Sequence, residues 1–168
     1  MTTLHATNTY NVETTLAKWW KDQLSAITLP AILPAVSYVF NMPEVAMNLP
    51  CVSFVHLPIS TKKRWQGDTT GTGRGARAAN LLDVSVWVSR KVVGWNAQLG
   101  FLQAMVNQVH AGASTIQISD YTTNVAAPSA VAYKIDGRDG EWVPTQHDPN
   151  PDIERSRFLF RYEWTVRS

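Results

Sequence analysis

The chain closes on Arg155-Ser156-Arg157-Phe158-Leu159-Phe160-Arg161-Tyr162-Glu163-Trp164-Thr165-Val166-Arg167, and the reading of this stretch decides the fold. In an extended chain Phe158, Phe160, Tyr162, Trp164 and Val166 fall on one side. Arg157, Leu159, Arg161, Glu163, Thr165 and Arg167 fall on the other, because successive strand side chains alternate. Extended from end to end, the stretch spans about 40 Å, well beyond an ordinary strand. Burying each large side chain of the aromatic row stabilises by roughly 1.5–3 kcal/mol. Such a row belongs at or near the centre of a sheet. Arg155, Arg157, Arg161 and Arg167 on the opposite side admit two readings. One is cross-strand pairing with Asp or Glu, at about 0.2–1 kcal/mol per pair; the other is a contact surface for an acidic neighbour.

Working outward, Leu82, Val84, Val86 and Val88 alternate with Asp83, Ser85, Trp87 and Ser89, which predicts a second strand with one buried face. Two shorter β-rich runs, Val36 to Phe40 and Cys51 to Leu57, flank Asn41 to Pro50. Pro43 and Pro50 make that joining segment a loop or an irregular hairpin tip. Apolar residues at three- and four-residue steps predict two helices. The first carries Leu16, Trp19, Trp20, Leu24 and Ile27, with Asn11 as N-cap, Glu13 in the first turn and Pro30 as terminator. Of its two tryptophans, one ring is expected in the core and the other half-exposed. The second helix runs from Trp95 to Ala111, with Gly112 in the C-cap position. Thr115 to Tyr121 reads as a strand. Val131, Tyr133 and Ile135 lead into a turn at Asp136 to Gly140 and return through Trp142 and Val143 as a hairpin. The prolines of the segment from His147 to Asp152 exclude it from a strand interior.

The sum is an α+β fold: a twisted mixed or antiparallel β-sheet with two helices on one face, and a long arm or hairpin insertion between strands. Residues 1–168 form one domain large enough for a real core. The second sheet face carries arginines and small polar groups, so it either meets water or packs on a neighbouring subunit.

The insertion, at about residues 60–80, holds Lys62, Lys63, Arg64, Arg74 and Arg77 against one acid, Asp68, together with Gly67, Gly71, Gly73 and Gly75. A glycine-rich arm kept inside a compact domain usually contacts something. Its charge favours a macromolecular surface over an apolar small molecule. Lys62, Lys63, Arg64, Trp65, Arg74 and Arg77 of the arm, with Arg157 and Arg161 of the last strand, are the expected subunit or partner interface.

Composition narrows the function classes. A content of 45% hydrophobic and 17% charged residues fits a folded globular chain, and no apolar run reaches membrane length, so no membrane partner is expected. The start, Met1 to Asn11, lacks the basic and apolar segments of a secretory signal. With Cys51 as the lone cysteine an intrachain disulfide is excluded, which suits assembly in a reducing cytoplasm. A formal charge of +2 is too small for a dedicated nucleic-acid binder.

Residue patterns for chemistry fail on context. Gly71-Thr72-Gly73-Arg74-Gly75-Ala76 has the letters of a dinucleotide fingerprint, but no apolar strand precedes it and no helix follows. Asp148, Asn150 and Asp152 begin a calcium-loop spacing that Ile153 and Leu159 break. Cys51 and His56, five apart on one strand, face opposite ways. His5, His56, His110 and His147 lack zinc-type spacing. Asp83 and Asp120 stand near strand ends with no third group paired to them. The chain reads as a non-enzyme, with no cofactor or metal implied.

In element order the chain resembles the tail terminator (tail completion) proteins of tailed bacteriophages. The likeness covers most of the chain: the amphipathic first helix, the Leu49-Pro50-Cys51-Val52-Ser53-Phe54 strand, the Gly/Arg-bearing insertion and the Leu81-Leu82-Asp83-Val84-Ser85-Val86-Trp87-Val88 strand. It continues through the second helix and Ile116-Gln117-Ile118-Ser119-Asp120-Tyr121 to the closing arginine-aromatic strand. The resemblance implies a structural virion protein: a homohexameric ring that caps the head-proximal end of the tail tube, ends tube polymerisation and joins the tail to the neck or head. Its implied partners are further copies of itself, the tail tube protein and a neck or head-completion protein, with a sheath protein as an additional candidate. Genome DNA would pass through the channel without specific binding, so channel-facing cations should be sparse or paired. The implied location is the virion tail and neck region, after assembly in the host cytoplasm. Two rival functions remain at this point. A head-completion or connector protein would bind portal in place of tube. A nucleic-acid-binding module using the basic arm and Trp65 would bind DNA with steep salt dependence.

Overall fold

A computed structural model of the chain describes residues 9–31, 33–40, 48–57, 63–64, 75–143 and 150–167. Among these residues two helices, α1 (Thr9–Ser25) and α2 (Trp95–Gly112), accompany seven strands: β1 (Ser37–Val39), β2 (Cys51–Leu57), β3 (Lys63–Arg64), β4 (Gly75–Ser89), β5 (Thr115–Asp120), β6 (Ser129–Val143) and β7 (Ile153–Arg167). They form one mixed sheet in the order β1-β2-β4-β7-β6-β5, with β3 added on β4. The closing strand β7 lies between β4 and β6, antiparallel to both, as the aromatic row predicts.

Register explains why this sheet has one apolar side. Leu82 stands opposite Phe160 and Val84 opposite Phe158, while Phe54 pairs Val84 and Val52 pairs Val86, so their side chains share a face. Both helices cover that face. The Trp20 ring of α1 sits 5.3 Å from Phe160 and 6.1 Å from Phe158, centroid to centroid. The His110 ring of α2 sits 5.1 Å from Phe158. Gln103 Nε2 donates to Ser156 Oγ at 2.7 Å, and Trp142 Nε1 donates to Asn107 Oδ1 at 2.7 Å, pinning α2 at the β6–β7 end. Trp20 is fully buried and Trp19 half-buried, which matches the division expected of the pair.

Several local expectations are corrected. Asp136 to Gly140 is no turn: β6 runs unbroken from Ser129 to Val143, with a bulge between Gly137 and Asp139. The glycines are there for close approach. A Cβ on Gly137 would lie 2.8 Å from Phe160 Cζ and 2.9 Å from the Ala113 carbonyl oxygen, and one on Gly140 would enter the Phe158 ring. Pairing between β1 and β2 is parallel, which rules out a hairpin between them; residues 41–47 of the link lie outside the described residues. Asn11 is not an N-cap. It lies inside α1, where its side chain donates to Asp120 Oδ1 at 3.1 Å and accepts from the Tyr121 amide at 3.0 Å, tying the helix to the end of β5. Gly112 is the last residue of α2 and Ala113 is the cap, with φ −83°. Gly94, just before α2, is the left-handed residue among those described, with φ 77°. Residues 75–80, read as part of the arm, are the first turns of the ladder in β4, paired with β7 from Gly75↔Arg167 onward.

A candidate assembly surface on the bare sheet face

Side chains that alternate with the core row point to the other face of the sheet, which neither helix covers. Of the two sequence expectations for its arginines, cross-strand pairing holds along the centre of this face. Cys51, Ser53, Asp83, Ser85 and Trp87 are all buried, so β4 is buried on both sides at its centre. Asp83 is the hub. Arg157, beside it on β7, donates from Nε at 2.9 Å and from Nη2 at 2.7 Å to Asp83 Oδ2. Arg155 Nη2 approaches the same oxygen at 3.4 Å, and Ser85 Oγ donates to Oδ1 at 2.6 Å. Arg155 also donates to Ser85 Oγ at 3.1 and 3.0 Å, and its guanidinium lies 4.5 Å over the Trp87 ring. Trp87 Nε1 donates to Ser53 Oγ at 2.9 Å, closing the network on β2. Each polar group is thus satisfied by a neighbour two strands away or nearer, and a buried charge is tolerated only when paired in this way.

Further along the same face the network gives way to an open concavity of about 530 Å³. Half-buried Ala79, Leu81 and Leu159 line its floor, while exposed Asp139, Glu141 and Arg161 stand at its rim. Next to it Arg138 Nη2 meets Glu163 Oε2 at 3.1 Å.

Of the residues expected to form an interface, Arg157 and Arg161 come to this face in different states. Arg157 is engaged with Asp83, which favours cross-strand pairing for it and for Arg155. Arg161 is exposed. Lys63 and Arg64 form β3, in register with Arg77 and Ala76 of β4, at the foot of the arm. Lys62, Trp65 and Arg74 lie outside the described residues. The structure corrects the view of Asp83 as an unpaired acid near a strand end, since it is central in β4 and doubly paired. Sequence reasoning missed it because the partners lie more than seventy positions away. Asp139 was missed because it was assigned to a turn, and Glu141 because it directly follows that turn.

Elsewhere the titratable groups are structural. Cys51 and His56 point to opposite faces, as their spacing requires, and burial pushes the Cys51 thiol up to about 11. Burial pushes the His56 imidazole down to about 4, against a weaker upward pull from the Glu13 main chain. His56 Nδ1 is hydrogen-bonded to the Tyr162 hydroxyl at 2.9 Å, and burial raises the Tyr162 phenol, with Asn80 opposing. Among the described residues no group of three or more His, Cys, Asp or Glu side chains is arranged to hold a metal ion. Among the same residues no helix is long and apolar enough to cross a membrane.

Fold and face together define an α+β single-sheet protein with one side sealed by helices and the other carrying a buried polar network beside an open concavity. Among solved structures, a chain in the virion of native gene transfer agent (GTA) particle shares this fold, with a TM-score of 0.50 and 15% sequence identity over 95% of the present chain and 100% of that one. No protein-family model and no curated protein sequence matches the chain.

Proposed function

We propose that the chain is a structural virion subunit and, more narrowly, a tail terminator: a homohexameric ring on the head-proximal end of a tail tube. The observation that carries this reading is the end-to-end likeness to a chain of a virion particle, covering all of that chain. The bare face supports it, since a sheet side with a rigid polar network and an adjoining exposed charged hollow suits contact with another protein. Closure follows from geometry: a heterologous contact whose rotation returns on itself makes a ring, and a ring stops growing. Termination further needs two unlike ends, one complementary to the last tube ring and the other hostile to another. The neck or head-completion protein binds the second end, and DNA passes through without base recognition.

The test is electron microscopy of the purified chain, alone and mixed with tail tubes. Six-membered rings sitting at tube ends are expected. Rings that bind portal and ignore tubes would instead favour a connector, and steeply salt-dependent DNA binding by a monomer would favour a nucleic-acid module.

A further inference from the structure

We infer that the concavity between β4, β7 and β6 receives the basic arm of the next copy of this chain. The inference rests on the ring reading above and names its joint. The hollow presents two exposed carboxylates, Asp139 and Glu141, over the apolar floor of Ala79, Leu81 and Leu159. Among the described residues, neither carboxylate nor Arg161 holds an ion pair. A partner for such a surface combines cations with an apolar group. The arm has that composition, with Lys62, Lys63, Arg64, Arg74 and Arg77 around Trp65 and with Asp68 as its one acid. An aromatic anchor over an apolar floor with a charged rim is the usual anatomy of a stable joint.

Register fixes where the arm is anchored. β3 runs antiparallel to β4, from Lys63 opposite Arg77 to Arg64 opposite Ala76, so the chain leaves Arg64 heading away from Ala79 and Leu81. It re-enters at Gly75, roughly 13 Å along β4 from Ala79 at strand rise. Of the hollows within reach of such a link, about 16 Å out and back, the neighbour's is the one whose contact builds a ring. Because arm and hollow are different patches, the contact is head-to-tail, the kind that closes rings.

The test uses two charge-reversed full-length proteins, K62E/R74E in the arm and D139K/E141K in the hollow, with folding checked by circular dichroism and assembly by sedimentation velocity. Each alone is expected to associate at least tenfold more weakly than the wild type. An equimolar mixture is expected to assemble in alternation, because each altered patch then meets its complement on the other protein. The chain carrying all four substitutions should assemble as well. If both variants assemble like the wild type, the arm does not use the hollow, while the ring itself stands. If the four-substitution chain recovers and the mixture does not, the arm serves its own molecule and the inference fails. A wild type that stays monomeric even beside tube ends overturns the ring reading and the joint with it.

Discussion

Replacing Asp83 tests whether the bare face is held by its buried charge network. Asp83 is 2% exposed, whereas the Arg155 and Arg157 side chains retain 19% and 23% exposure. Removing one partner of a fully buried pair costs about 3–5 kcal/mol, because the other charge is left without compensation. Here the two guanidinium groups keep some access to water, so Asp83→Ala belongs at the lower end, about 3 kcal/mol. Asp83→Asn keeps the shape and one acceptor but loses the charge on two short hydrogen bonds, and should cost about 2 kcal/mol. For a chain of this size each kcal/mol moves the melting temperature by about 2–4 °C, so the alanine variant should melt about 6–12 °C lower. Urea unfolding at pH 7.5 reads the same quantity as a shifted midpoint with unchanged slope. Removing both charges, in Asp83→Asn with Arg157→Gln, should cost less than the sum of the singles, since neither leaves the other stranded. Arg161→Gln, at an exposed and unpaired position, should stay within about 0.5 kcal/mol. An Asp83→Asn cost below about 0.5 kcal/mol would refute the reasoning and return the pair to the rank of a surface contact.

Two further outcomes follow from the core. His56 is held neutral when folded, its value pushed down to about 4 from 6.5, so the unfolded chain takes the proton first. Its contribution is complete above pH 6.5 and is lost as pH falls toward 4, by about 3 kcal/mol in all; Glu13, raised by burial, works in the opposite sense. Urea midpoints at pH 7.5 and 5.0 should therefore differ by more in the wild type than in His56→Gln, and equal differences would contradict this assignment. Gly140→Ala should destabilise by about 1–3 kcal/mol through collision with the Phe158 ring, whereas Gly100→Ala, with open space around it, should not destabilise. Comparable thermal melts for the two would disprove the close-approach account of the β6 glycines.

Long periodic segments were legible in the sequence, and the reason is physical. The aromatic row of β7 and the valine row of β4 carry enough burial energy to dictate an extended chain whatever surrounds them, and the stripe of α1 does the same for a helix. Features that depend on remote partners were hidden. Gly137 and Gly140 signal a turn by local propensity, yet they exist because Phe160 and Phe158 occupy the space a side chain would need. Asn11 looks like a cap from its neighbours, while its true partners sit at Asp120 and Tyr121. At the candidate surface the arginines were visible and their state was not, since it takes the β4–β7 register to set Arg157 opposite Ser85, diagonal to Asp83, and Arg161 opposite Leu81 at the open concavity. The acids of the hollow escaped notice for the same reason, because a bulge in β6 brings them beside Arg161.

The central claim is that copies of this chain close into a ring at a tail-tube end. Class averages of the purified protein mixed with isolated tubes test it most directly. Six-fold annuli seated on one end only of each tube are the expected result; single molecules that leave both ends bare, at concentrations where the protein is folded, would contradict it.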